Sequence, residues 1–209
     1  MKTTQKWVIG IDEAGRGPLA GPVAVGVALV PQGFDFDLIP GVGDSKKVSE
    51  KNREAIYLRA KILQKQGLLS YVVVLTPAKT IDKIGIVPSI TKAMYQALTK
   101  LHRQGLCNLS QMEDVLVLLD GGLKAPSEYL HQETIIKGDS KEKVIGLASI
   151  MAKVTRDQYM DKVSKLPDFL AYNFAVHKGY GTKTHLELIK KHGLSTEHRQ
   201  TFCKRFKSA

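Results

Sequence analysis

The run Val-Leu-Val-Leu-Leu at residues 115–119 is the feature that most constrains the fold of this chain. It is apolar at every position and lies between an acidic and a glycine-rich segment, so it predicts a strand that is buried on both faces. Residues 22–30, rich in Val, Ala and Gly, and residues 7–11 have the same character. Strands of this kind need helices on both sides of the sheet, which favours an α/β fold.

The segments between these strands carry helical signals and two further strands. Ser49 is a plausible N-cap for a helix whose inward positions are Ile56, Ala60 and Leu63 and which should stop at Gly67. The additional predicted strands are residues 68–75 and 134–136, and the additional predicted helices are residues 88–104, 144–163, 183–192 and 195–206.

The chain is long enough to build its own core. Its 209 residues predict a single domain over residues 1–209, with a helical C-terminal extension from about residue 165. We expect a monomer, since a chain of this size needs no partner to bury its apolar residues. The short polar N-terminus does not resemble a signal peptide, and no apolar run approaches a membrane span, so we expect a cytoplasmic protein with no membrane partner.

The balance of charged residues favours an anionic partner. Lys and Arg exceed Asp and Glu by 31 to 20, which gives a formal net charge of +11. Such a surface attracts nucleic acids, although a basic composition also occurs in proteins that bind none. The charge therefore needs a specific site before it indicates a function.

Cysteine and histidine do not indicate a zinc site. Cys107 and Cys203 lack the spacing of metal ligands or of a CxxC motif and are interpreted as reduced thiols. The late histidines, for which we predict surface or capping roles, match no ligand spacing either. They are His177, His185, His192 and His198.

Acidic residues follow several of the predicted strands. Asp12, Asp120 and Asp139 each come after an apolar stretch, and Glu13 is adjacent to the first. Ligands of open α/β sheets bind at that edge, and carboxylates gathered there repel one another unless a cation compensates them. Hard oxygen ligands suit Mg²⁺ or Mn²⁺, so the pattern predicts a divalent-metal site. Ordinary turn aspartates are the alternative interpretation.

Asp12 and Glu13 pose a geometric problem. Successive residues of a strand point to opposite faces, so both side chains cannot project the same way from an ideal strand. We therefore expect the first strand to end here, which would let Glu13 turn back or offer its backbone carbonyl.

Blocks of sequence along nearly the whole chain resemble the ribonuclease HII family, the type 2 ribonucleases H. The most specific are the opening block Ile9-Gly-Ile-Asp-Glu-Ala-Gly-Arg-Gly17 and the block Ala152-Lys-Val-Thr-Arg-Asp157. The other matching blocks are Gly43-Asp-Ser-Lys-Lys47, Leu119-Asp-Gly121, Lys137-Gly-Asp139, Gly179-Tyr-Gly-Thr-Lys-Thr-His185 and His198-Arg199.

The resemblance implies an RNase H-like α/β fold with a central mixed five-stranded sheet flanked by helices and a helical C-terminal portion. The family's catalytic, metal-binding carboxylates map onto Asp12, Glu13, Asp120 and Asp139. Its substrate-binding residues map onto Gly15, Arg16 and Gly17, which would read ribose 2′-hydroxyls, and onto Lys46 and Tyr180. The family's substrates imply RNA–DNA hybrids and ribonucleotide-containing duplex DNA as partners.

The implied reaction is two-metal hydrolysis with Mn²⁺ or Mg²⁺, which leaves 5′-phosphate and 3′-hydroxyl ends. Incision on the 5′ side of a single embedded ribonucleotide is expected. Ribonuclease HIII usually has an extra N-terminal domain, and a catalytic motif that begins at Asp12 favours HII. A structure-selective DNA nuclease on the same fold and a non-catalytic nucleic-acid-binding module remain alternatives.

Overall fold

A mixed five-stranded sheet forms the centre of the molecule. The computed structural model describes residues 6–43, 48–104 and 112–204. The strands are β1 (Trp7–Ala14), β2 (Val23–Pro31), β3 (Ser70–Thr76), β4 (Val115–Asp120) and β5 (His131–Ile135). Across these residues the strand order in the sheet is β3-β2-β1-β4-β5. The pairs β3–β2 and β2–β1 are antiparallel, and the pairs β1–β4 and β4–β5 are parallel. The predicted mixed five-stranded sheet is confirmed.

Helices cover both faces of this sheet. They are α1 (Glu50–Lys65), α2 (Ala78–Ile84), α3 (Ile86–Arg103), α4 (Gly138–Lys141), α5 (Lys143–Val163), α6 (Phe174–His177) and α7 (Lys183–His192). Short 3₁₀ turns occupy Phe36–Leu38, Met112–Asp114 and Pro167–Tyr172. None of the helices in the described ranges is long and apolar enough to cross a membrane.

The two faces of the sheet have separate cores, and α5 packs closely on one of them. On one face, Ile9 and Ile11 of β1 pack with α3, whereas α1 and α5 cover the other. A Cβ atom at Gly10 would overlap the backbone of Val144, and one at Gly26 would overlap the carbonyl of Ala148. These two glycines therefore allow α5 to lie directly against β1 and β2.

Most predicted elements are confirmed within a few residues. The Ser49 hydroxyl accepts from the N–H of Asn52, which caps α1, and Ile56, Ala60 and Leu63 are buried. The prediction for residues 183–192 coincides with α7. The short helix α2 has no counterpart in the sequence-based predictions.

The helix predicted over residues 195–206 is wrong as far as the described residues reach. Residues 195–204, here called the C-terminal segment, form turns and a short bridge between Ala20 and His198. The backbone N–H of Arg199 donates to the carbonyl of Leu19 at 2.8 Å, and the carbonyl of Glu197 accepts from the N–H of Gly21 at 2.9 Å. Tertiary pairing with another loop thus replaces the helical hydrogen bonds.

Two loops meet beside the sheet. The glycine loop, residues 15–22, joins β1 to β2, and the tyrosine loop, residues 178–182, joins α6 to α7. The N–H of Leu19 donates to the carbonyl of Gly179 at 2.8 Å, so the two loops are in direct contact. The single-domain organisation over residues 1–209 stays a prediction.

Candidate active site

Asp12 is a buried carboxylate on the α5 side of β1. Every second residue of a strand faces the same side, so Asp12 lies on the same face as Val8 and Gly10, and only 5% of the residue is exposed. The hydroxyl of Ser149 on α5 donates to it, and the N–H of Glu13 donates to its Oδ1 at 2.7 Å. No role was predicted for Ser149 from the sequence, so this contact was missed.

Glu13 lies on the opposite face of the same strand. The expectation that the strand ends at Asp12 is wrong, because β1 continues to Ala14 and remains paired with β2. Its pairing with β4 stops at Ile11, however, so the β4 side of β1 is open beyond this point. The Oε1 of Glu13 accepts from the exposed Arg16 side chain at 3.3 Å.

Asp120 and Asp139 are brought to the same edge by the parallel pairing of β1, β4 and β5. Asp120 is the last residue of β4, next to the open side of β1. Its Oδ1 accepts from the N–H of Gly138 at 2.6 Å. Asp139, which follows Gly138 in α4, is also buried. We call Asp12, Glu13, Asp120 and Asp139 the carboxylate edge.

The carboxylate edge is electrostatically unfavourable for anions. The pKa of Asp12 is raised to about 7, mainly by burial and also by the charges of Glu13 and Asp120, which together outweigh the lowering effect of its two hydrogen bonds. Burial also raises the pKa of Glu13, while the Arg16 guanidinium lowers it and Asp120 raises it. Asp12, Glu13 and Asp120 therefore affect one another electrostatically, and Arg16, the cation paired with Glu13, is exposed.

The side-chain positions do not form a closed metal cage. Across the described ranges, no group of three or more His, Cys, Asp or Glu side chains is arranged to hold a metal ion. The edge thus offers oxygen donors of the type that Mg²⁺ and Mn²⁺ prefer, without complete ligand geometry.

The three residues Gly15, Arg16 and Gly17 differ in their surroundings. Gly15 is buried with φ +85°, and a Cβ atom there would overlap the side chain of Arg156. Arg16 and Gly17 are exposed, and a Cβ atom at Gly17 would meet nothing within 4 Å. Gly15 is therefore required by the internal packing, whereas Gly17 presents an open backbone to solvent.

Tyr180 projects from the tyrosine loop with 41% of the residue exposed. Lys153 Nζ lies 5.7 Å and the Arg156 guanidinium carbon 5.6 Å from the centre of its ring, so two cations of α5 support the ring. Tyr180 and the glycine loop lie together because the two loops are hydrogen-bonded. Lys46, the remaining predicted substrate contact, lies outside the described residues.

Surface or capping roles were predicted for the late histidines, and for three of the four the surface alternative is wrong, because they are buried. His185 Nδ1 lies 2.8 Å from the carbonyl of Tyr180, its Nε2 lies 3.1 Å from His198 Nε2, and His198 Nδ1 lies 2.9 Å from the N–H of Ser195. One assignment of the ring protons satisfies all three hydrogen bonds: His198 accepts from the N–H of Ser195 and donates to His185, and His185 donates to the carbonyl of Tyr180. Both rings are then neutral, and burial lowers their pKa values to about 4. His177 is the third buried ring, and His192 is exposed.

Comparison with known proteins identifies the family. The model of the family described as Ribonuclease HII matches residues 9–208. The chain belongs to the ribonuclease HII family. Ribonuclease HII of Endomicrobium trichonymphae is 44% identical over 195 residues, covering 93% of this chain and 84% of the relative. Ribonuclease HII of Ruminiclostridium cellulolyticum is 40% identical over 201 residues, covering 96% and 71%.

Solved structures share the fold. Ribonuclease H2 from Pyrococcus horikoshii aligns with a TM-score of 0.66 at 23% identity, covering 97% of this chain and all of the other. Bst-RNase HIII in complex with Mn²⁺ aligns with a TM-score of 0.68 at 18% identity, covering 99% of this chain and 71% of the other. At 23% and 18% identity, these similarities show that the fold is shared and nothing more.

Membership of the ribonuclease HII family makes this chain a ribonuclease H endonuclease, an enzyme that acts on RNA–DNA hybrids.

Arg156 and Arg199 lie in blocks that match the family, but no role was predicted for them from the sequence. Both are fully buried, next to the glycine loop. Arg156 is four residues from both Ala152 and Met160, so it shares a helical face with apolar residues, and that spacing was the available signal for a buried guanidinium.

Proposed function

We propose that this endonuclease incises duplex DNA on the 5′ side of a single embedded ribonucleotide and also cuts the RNA strand of RNA–DNA hybrids. The observation that carries the proposal is the position of the glycine loop. It directly follows β1, whose Asp12 and Glu13 belong to the carboxylate edge, and it is hydrogen-bonded to the tyrosine loop. A surface that recognises one sugar therefore adjoins the carboxylates.

The carboxylate edge fits a divalent-metal centre by its chemistry. Asp12 is buried beside two other carboxylates, and a cation of charge two would remove the repulsion that raises its pKa. Asp12, Glu13, Asp120 and Asp139 are the residues that would hold the metal, and two ions of Mn²⁺ or Mg²⁺ are expected. The fold shared with Bst-RNase HIII in complex with Mn²⁺ supports this choice. When bound, such ions activate water and stabilise the departing 3′ oxygen of the RNA or DNA strand.

The side chains and backbone of the two loops would select the substrate. Gly17 has no neighbour where a Cβ atom would lie, so a ribose can approach its backbone closely. Arg16 is exposed and can contact a phosphate while remaining close to Glu13. The exposed face of Tyr180 can stack on the sugar next to the ribonucleotide, because α5 supports the ring. Lys46 stays a candidate phosphate contact.

Cleavage mapping tests this proposal. A duplex with one ribonucleotide, the same duplex in DNA only, and a long RNA–DNA hybrid are incubated with Mg²⁺ or Mn²⁺, and the ends are identified. We expect a cut 5′ of the ribonucleotide that leaves 5′-phosphate and 3′-hydroxyl ends, a cut hybrid, and intact DNA. Cleavage of the hybrid alone would contradict single-ribonucleotide recognition. Cleavage of the DNA duplex would favour a DNA nuclease, and metal-independent binding without any cleavage would favour a binding module.

A further inference from the structure

Arg199 holds the backbone of the glycine loop from beneath. Its guanidinium donates to three carbonyls: Nε to Gly21 at 3.0 Å, Nη1 to Arg16 at 2.9 Å and Nη2 to Gly15 at 2.6 Å. The residue is completely buried. Only arginine offers a planar set of donors that can satisfy three carbonyls in fixed directions. The direction of the Gly15 and Arg16 peptide units therefore depends on this side chain.

Arg156 bridges the glycine loop and the tyrosine loop. Its Nε donates to Pro22 at 2.9 Å, and its Nη2 donates to Ala20 at 3.1 Å and to Lys178 at 2.9 Å. The same guanidinium lies under the ring of Tyr180. One buried group on α5 thus contacts the first loop, the second loop and the exposed aromatic ring.

Burying these two arginines side by side is costly. Burial and the neighbouring positive charge of Arg156 lower the pKa of Arg199 to about 9. Among the residues that the structure describes, Arg156 Nη1 has no hydrogen-bond partner, and the nearest carboxylate oxygen, on Asp157, is 3.9 Å away. Apolar side chains in such positions are often at least as stabilising as buried charges. What the guanidiniums provide here, and apolar residues cannot, is a fixed direction for six backbone carbonyls.

The C-terminal segment carries Arg199 to this position and is itself anchored on α2. Asp82 accepts from the N–H groups of Gln200 and Thr201, both at 2.9 Å, and from the Thr201 hydroxyl at 2.6 Å. The bridge between Ala20 and His198 adds a direct backbone connection to the glycine loop. Movement of one part therefore requires movement of the others.

We propose that Arg156 and Arg199 are positioning residues that make the glycine loop and the tyrosine loop a single rigid unit for recognising one ribose. The inference rests on the proposed function for its substrate, and on the contacts above for the coupling of the loops. Rigid placement matters because a small displacement of the sugar would misalign the scissile phosphate with the carboxylate edge.

Hydrogen exchange of the free protein tests the coupling without substrate or metal. Arg199→Lys keeps a positive charge but cannot hold three carbonyls, and its hydrogen bonds concern only the glycine loop. We expect amides in both residues 15–22 and residues 178–182 to exchange about fivefold or more faster, with the amides of β2 unchanged. Faster exchange confined to residues 15–22, or a uniform increase along the chain, would overturn the proposal. Arg59→Lys is the matched control, since Arg59 also donates to a carbonyl, that of Leu38, but away from the site.

A double-mutant cycle connects this coupling to substrate recognition. Arg199→Lys and Tyr180→Phe are combined, and kcat/KM is measured on the single-ribonucleotide duplex. If the loops act as one unit, the combined effect should differ from the product of the single effects by about threefold or more, whereas Arg59→Lys with Tyr180→Phe should be multiplicative. Multiplicative effects for Arg199 as well would overturn the proposal.

Two further results distinguish a failure of the loop coupling from a failure of the proposed function or of folding. A parent enzyme that ignores single ribonucleotides while the exchange result holds would refute the proposed function but not the coupling of the loops. If Arg199→Lys does not fold, Asp82→Asn loosens the C-terminal segment without changing the guanidinium, and we expect it to accelerate exchange in both loops to a smaller degree. No change in either loop would overturn the proposal.

Discussion

At the carboxylate edge, the pKa of Asp12 is raised by burial and by the charges of Glu13 and Asp120, and its two hydrogen bonds do not offset these effects. A second group of buried polar residues, here called the arginine–histidine cluster, lies beyond the glycine loop and consists of Arg156, Arg199, His177, His185 and His198. There, almost every donor has a carbonyl partner, and the His185–His198 pair can be neutral.

The difference separates two uses of buried polar groups. Groups that are satisfied inside the protein fix the shape of the loops, whereas groups left electrostatically strained have spare capacity for an external ligand. On this basis the carboxylate edge should govern chemistry, and the arginine–histidine cluster should govern stability and loop geometry. The following predictions test that division.

The largest effect should come from neutralising the carboxylate edge. Asp12→Asn removes the charge of a proposed metal ligand, so we expect cleavage of the single-ribonucleotide duplex to slow by about 100-fold or more. The melting temperature of the metal-free protein should stay the same or rise, because repulsion is removed. Turnover and thermal melts measure both, with the exposed Asp168→Asn as control. An Asp12→Asn enzyme of full activity would exclude this residue from the site.

Substitutions of Tyr180 should affect recognition without affecting metal binding. Tyr180→Ala loses the supported ring and should cleave the single-ribonucleotide duplex about tenfold or more slowly, since stacking on a base or sugar contributes on the order of 1–3 kcal/mol. Tyr180→Phe keeps the ring and should lose less. Affinity for Mn²⁺, measured separately, should not change in either variant. Parent-like cleavage by Tyr180→Ala would make it an ordinary loop aromatic.

Two glycines of one motif should respond differently. Gly15→Ala places a Cβ atom on Arg156 at a positive φ, so it should destabilise the protein by about 2 kcal/mol or more. Gly17→Ala has free space and should fold normally, while substrate approach becomes poorer. Urea unfolding and KM distinguish the two effects. Equal loss of stability in both variants would contradict the different roles assigned to them.

The buried histidines should make stability depend on pH. Their folded pKa values, about 4 for His185 and His198, lie below the ordinary 6.5, so protonation favours the unfolded chain. The contribution of these histidines to stability is fully present above about pH 6.5 and is lost as the pH falls toward 4. The raised pKa of Asp12 acts in the opposite direction, because protonation of this carboxyl favours the folded protein, so the effect of the histidines is measured as the difference between the parent and a histidine variant. Between pH 7.5 and pH 5, one such histidine titrating independently would lower the free energy of unfolding by about 2 kcal/mol. This is an upper value for each member of a coupled pair.

Urea unfolding across this pH range measures the effect. The loss of stability caused by His198→Gln should be smaller at pH 5 than at pH 7.5, because Gln does not titrate, and His192→Gln at the exposed end of α7 is the control. A loss of stability in His198→Gln that is the same at pH 7.5 and pH 5 would contradict neutral, buried histidines.

The sequence predicted the parts of this molecule that depend on local pattern. Residues 115–119 gave a buried strand because their apolar run fits a covered sheet, and α7 followed from its own periodicity. The C-terminal segment was predicted wrongly because the hydrogen bonds of Glu197 and Arg199 are made with a loop about 180 residues away in the chain. Local propensity contains no information on such partners.

The candidate site shows the same limit. The position of Asp120 at the end of β4 followed from the sequence pattern, whereas the strand end predicted at Asp12 was wrong, because the continuation of β1 through Glu13 depends on pairing with β2. Arg156 and Arg199 had no assigned role because guanidiniums usually lie at the surface, and only the folded chain supplies the carbonyls that satisfy them.

Calorimetric titration with Mn²⁺ tests the central claim most directly, namely that the carboxylate edge is the metal centre. The parent protein, Asp12→Asn, Asp120→Asn and the control Asp168→Asn are titrated in the absence of nucleic acid. We predict that Mn²⁺ binds the parent and the control alike, and that each substitution at the edge weakens binding about tenfold or more. Mn²⁺ binding of unchanged affinity in both Asp12→Asn and Asp120→Asn would place the metal elsewhere and contradict the account.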